Sequence, residues 1–378
     1  MLTVEIVKTK KDIKEFIEFP LRLYKSCSCF VPPLYSDEKK LLTSSVNTDV
    51  AESVFFLAKR DGITVGRIQG ILHKQYNALK NEKRVRFTRF DAINDIEVSR
   101  ALLGAVEAWA QERGMSVVCG PLGYSDLDRE GLLVEGFDEN STFEEQYNYE
   151  YYGSLLEDSG YSKEVDWLEF ELTAPDKRNE MLTRVAKRTL EMNKLHIADT
   201  NMSKKAYVEK YGDSLFECLD ECYSKLYGTV PITPDQRKEL INQFMLIINI
   251  KFAVFICDEN ERVVAFGLCF PAIGDALKKS GGRLTLPTLI KLIKLAKKPK
   301  VMDLGLVAVR PEYQNLGVNA VLVEGIVDML CRGEVEKCET NLNLETNTAV
   351  IAQWKYMNSR QHKRRRAYIK TIGENENA

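Results

Sequence analysis

The sequence predicts an α/β protein made of two similar halves, and three observations carry that reading. Its 378 residues exceed what one hydrophobic core usually organises. Short strand-like runs alternate with apolar stretches at helical spacing. The order hairpin, strand, helix, strand, helix, strand also reads twice, once on each side of a linker near Thr173-Ala174-Pro175-Asp176.

In the first half, FFLAKR (55–60) and TVGRIQGIL (64–72) read as strands joined through Asp61-Gly62, a strong hairpin turn. RVRFTRFDAI (84–93) is a third strand. The helix predicted over 99–114 stops at Gly114, a good C-cap. VVCGPL resumes as a strand, residues 151–161 form a short helix ending at Gly160, and WLEFEL closes the half. The second half opens with helices over 208–227 and 235–248. Thr233, Pro234 and Gln236 supply the cap, first position and capping box of the latter. A hairpin over 252–270 turns at Asp258 to Glu261. After it come a strand (301–309), a helix (318–333), a strand (338–345) and a helix (347–357).

Composition narrows the function. With 44% hydrophobic and 29% charged residues the chain has globular proportions, and a net charge of −2 gives no chain-wide footprint for nucleic acid. The charged N-terminus offers no signal-peptide core, and no apolar run approaches the roughly 18 residues of a membrane span. A cytoplasmic protein is expected. Nine cysteines, an odd number, lack paired metal spacing, so reduced thiols and no metal are expected. Cys218 and Cys222 alone share the i,i+4 spacing of one helix face.

The segment 310–325, RPEYQNLGVNAVLVEG, is where chemistry is expected. Strand, loop, helix leaves backbone amides unpaired at the positive end of the helix dipole. No acidic side chain stands in Gln314-Asn315-Leu316-Gly317-Val318-Asn319, and Gly317 permits a positive φ or close backbone approach, so an anion fits there. An ordinary strand-to-helix turn is the competing reading.

LVAVRPEYQNLGVNAVLVEGI resembles motif A of the GCN5-related N-acetyltransferases (GNAT): an apolar strand, Val-x-Pro, then Gln or Arg, two residues, Gly, one residue, and Gly or Ala at a helix start. The resemblance implies that Gln314 to Ala320 hold the diphosphate of coenzyme A. It also implies that the strand before them, with Leu306, Val307 and Val309, binds the pantetheine arm and supplies an oxyanion-binding amide. Asn319 departs from the family's Gly or Ala. LNLETNTAVIAQWKYM resembles motif B, with Asn347 opening a helix beside the pantetheine.

VPPLYSDEKKLL, VEGFDEN and VPITPDQ extend the likeness to a group of bacterial tandem acetyltransferase-like proteins. NYEYYGSLLEDSGY matches the family's closing pattern, so the first half is expected to share the fold. Its own strand-to-helix loop, Ile93 to Val98, lacks glycine and carries Asp95 and Glu97. These satisfy the helix dipole themselves and repel a diphosphate. The expected architecture is thus two tandem GNAT-like domains, each a mixed, mostly antiparallel sheet flanked by helices. Residues 1–172 form a degenerate copy and 173–378 the copy with the acyl-CoA site.

Acyl transfer to an amine needs a base and an oxyanion donor. Asp303 stands where histone-type members carry their catalytic glutamate. Alternation sets Asp303, Gly305, Val307 and Val309 on one face, against the alternative that Asp303 is an exposed residue at the strand start. Glu345 is the second candidate base, on a polar row with Glu339, Asn341 and Asn343. Trp354 occupies the position of the family's acidic tyrosine, and its indole N–H is too weak an acid to give up a proton.

The resemblance implies acetyl-CoA or another acyl-CoA as co-substrate and an amine, on a small molecule or a protein, as acceptor. The alternative is a non-catalytic acyl-CoA-binding or scaffold protein. Tyr147, Tyr149, Tyr151 and Tyr152, with Asp138 and Glu139, line an acceptor pocket or simply pack. The basic amphipathic stretch 287–300 is expected to cover the core rather than a membrane. His362 to Arg366 is expected to split its charges between two strand faces.

Overall fold

The computed structural model describes residues 1–44, 49–224 and 226–373. These pack as two units: Met1–Leu168 with Gly274–Thr288 and the chain from Lys363 on, and Glu169–Ile273 with Leu289–His362. The two units are therefore interleaved along the sequence, whereas the expected division at 172/173 is contiguous.

In chain order the elements up to the linker are β1 (Leu2–Ile6), α1 (Lys10–Leu23), α2 (Tyr35–Thr43), β2 (Ala51–Arg60), β3 (Ile63–His73), α3 (Lys74–Lys80), β4 (Arg84–Ala92), α4 (Ile96–Gln111), β5 (Val117–Gly120), β6 (Leu132–Glu135), α5 (Tyr151–Glu157) and β7 (Ser162–Thr173). Beyond it lie α6 (Glu180–Met192), β8 (His196–Ile197), α7 (Lys204–Tyr223), α8 (Pro234–Ile247), β9 (Val254–Cys257), β10 (Val263–Pro271), α9 (Gly274–Lys278) and α10 (Leu286–Lys297). The chain ends with β11 (Val301–Val309), α11 (Val318–Cys331), β12 (Lys337–Thr340), β13 (Asn343–Leu344), α12 (Thr348–Ile351) and β14 (Asn358–Thr371).

The first unit builds its sheet in the order β1-β2-β3-β4-β5-β14. Its pairs are antiparallel except β4 with β5. Helix α4 lies on this sheet because Val98, Leu102, Leu103 and Val106 recur at helical spacing and bury almost completely. Each such side chain contributes about 1.5–3 kcal/mol by leaving water. In the second unit the order is β8-β9-β10-β11-β12-β7, again antiparallel except for one pair, β11 with β12. One face carries α11, whose Val318, Val321 and Leu322 pack with Val307 and Val309. Both sheets are thus mixed and mostly antiparallel, as expected.

The helix expected over 347–357 is shorter, four residues of α12 followed by a 3-10 turn, Ala352–Tyr356. The strand expected over 338–345 is broken between β12 and β13. There the side chain of Asn343 turns inward to Thr340 Oγ1 and the Asn341 carbonyl, each at 2.8 Å.

Candidate active site

In the second unit β11 and β12 run together only from Val301 to Leu304. The Asn341 amide donates to the Leu304 carbonyl at 3.1 Å, and after it β12 has ended while β11 continues. Where they part, Gly305 bulges out of the β10 ladder, opposite Leu268 and Cys269. A Cβ at Gly305 would sit 2.5 Å from the Phe270 ring, so the bulge requires glycine.

The bulge corrects one expectation. It inverts the alternation, so Val307 and Val309 face α11 with Met302 and Leu304, while Asp303 points to the other face with Phe270 and Glu339, its register partners. Asp303 is not an exposed strand-start residue either, being 4% exposed. It belongs to a row of acids across three strands, Asp303, Glu339 and Glu171, in which Lys337 bridges Glu171 at 2.6 Å and Glu339 at 3.1 Å. Burial, followed by the Asp303 carboxylate, pushes the nearby Cys269 thiol up to about 12. Glu345 follows β13, so the single polar row through Glu339 and Glu345 is not formed.

The end of β11 is anchored by Arg310, which is fully buried. Its backbone amide donates to Val264 O at 2.9 Å, its Nε to Val263 O at 2.8 Å, and its guanidinium pairs with Glu221. A 3-10 turn, Pro311–Tyr313, follows, and the Gln314 side chain returns to the Val309 carbonyl at 3.1 Å. Asn315 and Gly317 then both take left-handed backbone, φ +63° and +86°. Gly317 is the N-cap of α11, and no side chain caps that helix. The Ala320 amide bonds to the Gly317 carbonyl at 2.9 Å, while the amides of Val318 and Asn319 come too early in the helix for an intrahelical acceptor, and the alternating backbone bends them into a concavity suited to an anion. Leu316 stands 45% exposed beside them. The nearest carboxylate in the loop, Glu312, pairs with Arg262 at 3.1 Å.

Of the other expected residues, Val318 is buried, Ala320 packs against the core that holds Val323 and Val327, and Leu306 is half-buried on β11. Asn319 occupies the second helical position. Asn347 caps α12 through its own side chain, which accepts from the Val350 amide at 3.4 Å. Trp354 is buried in the core under β12. Two residues at the end of α7, Tyr223 and Cys222, reach this part of β11. Tyr223 donates to the Val307 carbonyl at 3.1 Å, on the stretch of β11 that has lost its neighbour. The Cys222 thiol, held by Cys218 and by the Val309 amide, is drawn below the ordinary cysteine range. The Cys218/Cys222 spacing hinted at this helix face, whereas nothing local marked Tyr223.

The first unit repeats the geometry but closes it. Strands β4 and β5 pair over Arg84–Arg86 and then part, with a bulge at Arg89, φ +49°. The released end of β4 is taken by tyrosines: the Ala92 amide donates to the Tyr152 hydroxyl at 3.0 Å and Tyr151 donates to the Ala92 carbonyl at 2.8 Å. Tyr24 donates to Asp91 at 2.9 Å, and Arg67 binds Asp91 at 2.7 Å. Arg89 grips Glu38 with contacts of 2.9 and 3.1 Å. Burial opposes ionisation of Glu38, but Arg89 and Arg67 outweigh it and hold its pKa down at about 2. The space left is about 20 Å³, enough for one water. At the start of α4, Asp95 accepts from the Glu97 amide at 2.9 Å while Arg60 holds both carboxylates. The hydroxyls of Tyr147, Tyr149, Tyr151 and Tyr152 are all engaged on neighbouring groups, so this set packs rather than lining an open pocket. The run at 362–366 is consumed internally as well. Arg364 and Arg366 bind Asp166, while Lys363 and Arg365 bond to the carbonyls of Asn140 and Gln146.

No protein-family model matches the sequence. The chain is 26% identical over 370 residues to Protein YghO of Escherichia coli K12, covering 96% of this chain and 94% of that protein. It is 27% identical over 383 residues to the bacterial ceramide synthase of Caulobacter vibrioides, covering 98% of each. Among solved structures it superposes on a tandem GNAT protein from the clavulanic acid biosynthesis pathway with a TM-score of 0.54, at 11% identity and 99% coverage of both chains. The chain therefore has the fold of a tandem GCN5-related N-acetyltransferase.

Proposed function

We propose that the second unit is an acyl-CoA-dependent N-acyltransferase. The observation that carries this reading is the uncapped, carboxylate-free start of α11 at the parting of β11 and β12. Amides of Leu316 to Asn319 hold the diphosphate there, with Gln314 and Asn315 shaping the loop and Ala320 letting the helix approach. Val307 and Val309 set the path of β11, along which the pantetheine arm lies beside Leu306, and Asn347 fixes the turn opposite. Acyl-CoA supplies an activated thioester.

Asp303 serves as the base that takes the proton of the attacking amine, directly or through water, with Glu345 the alternative. A backbone amide between Leu306 and Val309 receives the negative charge developing on the carbonyl oxygen. Tyr223 replaces the acid that Trp354 cannot be. The ceramide synthase similarity suggests the acceptor class, a long-chain amino alcohol, whose acylated product is a ceramide. A binding-only reading is favoured by Trp354 in place of the tyrosine and by Asn319 in place of glycine or alanine.

Calorimetry with coenzyme A and thiol release with acetyl-CoA and palmitoyl-CoA, over an amine panel that includes sphinganine, test the proposal. Binding and amine-dependent thiol release are expected, and both are lost in Gly317→Trp. Binding without release over the whole panel would favour the binding-only reading. No binding at all would overturn both.

A further inference from the structure

Helix α10, LPTLIKLIKLAK, covers the core with one stripe only. Leu292 is 2% exposed and Thr288 4%, and Leu289 and Leu295 are half-buried. A second apolar stripe, Leu286, Ile290 and Ile293, follows the spacing four then three and stands 72%, 47% and 53% exposed, with Leu284 just ahead of it at 38%. Isolated exposed aliphatics are ordinary; four within ten residues of one short segment are not.

The charges beside the stripe have one sign. From Ala276 to Met302 the chain has eight Lys or Arg and no Asp or Glu, although the whole protein carries a net charge of −2. Lys278, Arg283 and Lys300 are committed to Asp275, Glu18 and Glu336. Lys291, Lys294, Lys297 and Lys298 are exposed and, among the described residues, form no ion pair. At 100° per residue Lys294, Lys298 and Lys291 line one flank of the stripe, and Lys297 lies at its C-terminal end.

We propose that this face of α10 docks the protein on an anionic lipid bilayer. Leu286, Ile290 and Ile293 enter the boundary between headgroups and acyl chains, and the lysines extend to the lipid phosphates. A protein partner would need acidic complementarity along the whole helix, whereas an anionic leaflet supplies it everywhere. This inference stands apart from the acyl-transfer proposal: docking can fail while coenzyme A still binds, and the reverse.

The test is co-sedimentation of the full chain with phosphatidylcholine vesicles, with and without phosphatidylglycerol, at low and high salt. Salt-sensitive binding to the anionic vesicles alone is expected. Lys291→Glu with Lys294→Glu should weaken it at least ~30-fold, from about 1 kcal/mol per lysine. Ile290→Ser with Ile293→Ser should also weaken it, and thermal melting and coenzyme A binding should report both variants folded. No binding to anionic vesicles, or equal binding by wild type and both folded variants, would overturn the proposal. So would a lipid-free dimer that the same substitutions dissolve, since the stripe would then belong to a second copy of the chain.

Discussion

Two parallel strand pairs, β4 with β5 and β11 with β12, part in the same way after three or four residues of pairing, yet among the described residues side chains meet the released strand ends differently. In the first unit the released strand end is satisfied by Tyr151 and Tyr152, and the wedge holds a lattice of Arg67, Arg89, Glu38 and Asp91. Its helix start is capped by Asp95. In the second unit no side chain caps the helix start, and the hydroxyl of Tyr223 reaches the released strand at Val307. One architecture can therefore be left open at its strand end or filled as a structural core. The choice rests on whether side chains already satisfy the backbone groups exposed by parting.

The contrast is broken most strongly at the buried charges. Glu38→Gln leaves Arg89 and Arg67 short of a counter-charge and should cost the first unit about 3–5 kcal/mol in denaturant melts, with coenzyme A affinity unchanged in the folded fraction. The same pair gives the wild type an acid signature. Because the folded pKa of Glu38, about 2, lies below its ordinary value of 4.5, its stabilisation is full above pH 4.5 and is lost as pH falls toward 2. His73 acts earlier. Burial, then Arg86, pushes it down to about 4 from 6.5, so the unfolded chain takes up its proton first and stability falls between pH 6.5 and 4. Thermal melts across pH 7 to 3 should show both phases, and Glu38→Gln should lack the lower one.

Next in size, Asp303→Asn tests the other side of the comparison. It should lower kcat roughly 100-fold with KM for the acyl donor little changed. An unchanged kcat would move the base to Glu345. Tyr152→Phe removes the hydroxyl shared by Tyr24 and the Ala92 amide and should cost about 1–3 kcal/mol in the melt of the first unit, without creating a coenzyme A site. The smallest effect is expected for Asp95→Ala, about 1 kcal/mol for a lost helix cap. Coenzyme A binding by the first unit of that variant would show that a single carboxylate had closed it.

Much of this was legible locally. The cap residues, the Asp61-Gly62 hairpin and the loop after β11 follow from residue types within a few positions of one another. Elements before residue 51 went unassigned, although Thr9 and Asp12 form the capping box that starts α1. Strict alternation puts Asp303 on the wrong face because a bulge at Gly305 inverts it, and only the Phe270 ring across the ladder reveals the need for that bulge. The break between β12 and β13 arises from side-chain bonds of Asn343, which periodicity does not register. Tyr223 was invisible because its partner lies 84 residues away.

By itself the sequence determined the two-fold repeat of elements, the acid-free loop from Gln314 to Asn319, and the self-capped start of α4. These depend on short-range geometry: dihedral preference, helix dipole and the charge of adjacent side chains. Only the tertiary structure decided which face carries Asp303, that tyrosines close the first wedge, and that α10 turns a second apolar stripe to solvent. Each of those depends on strand register and on contacts between distant segments, which no local pattern encodes.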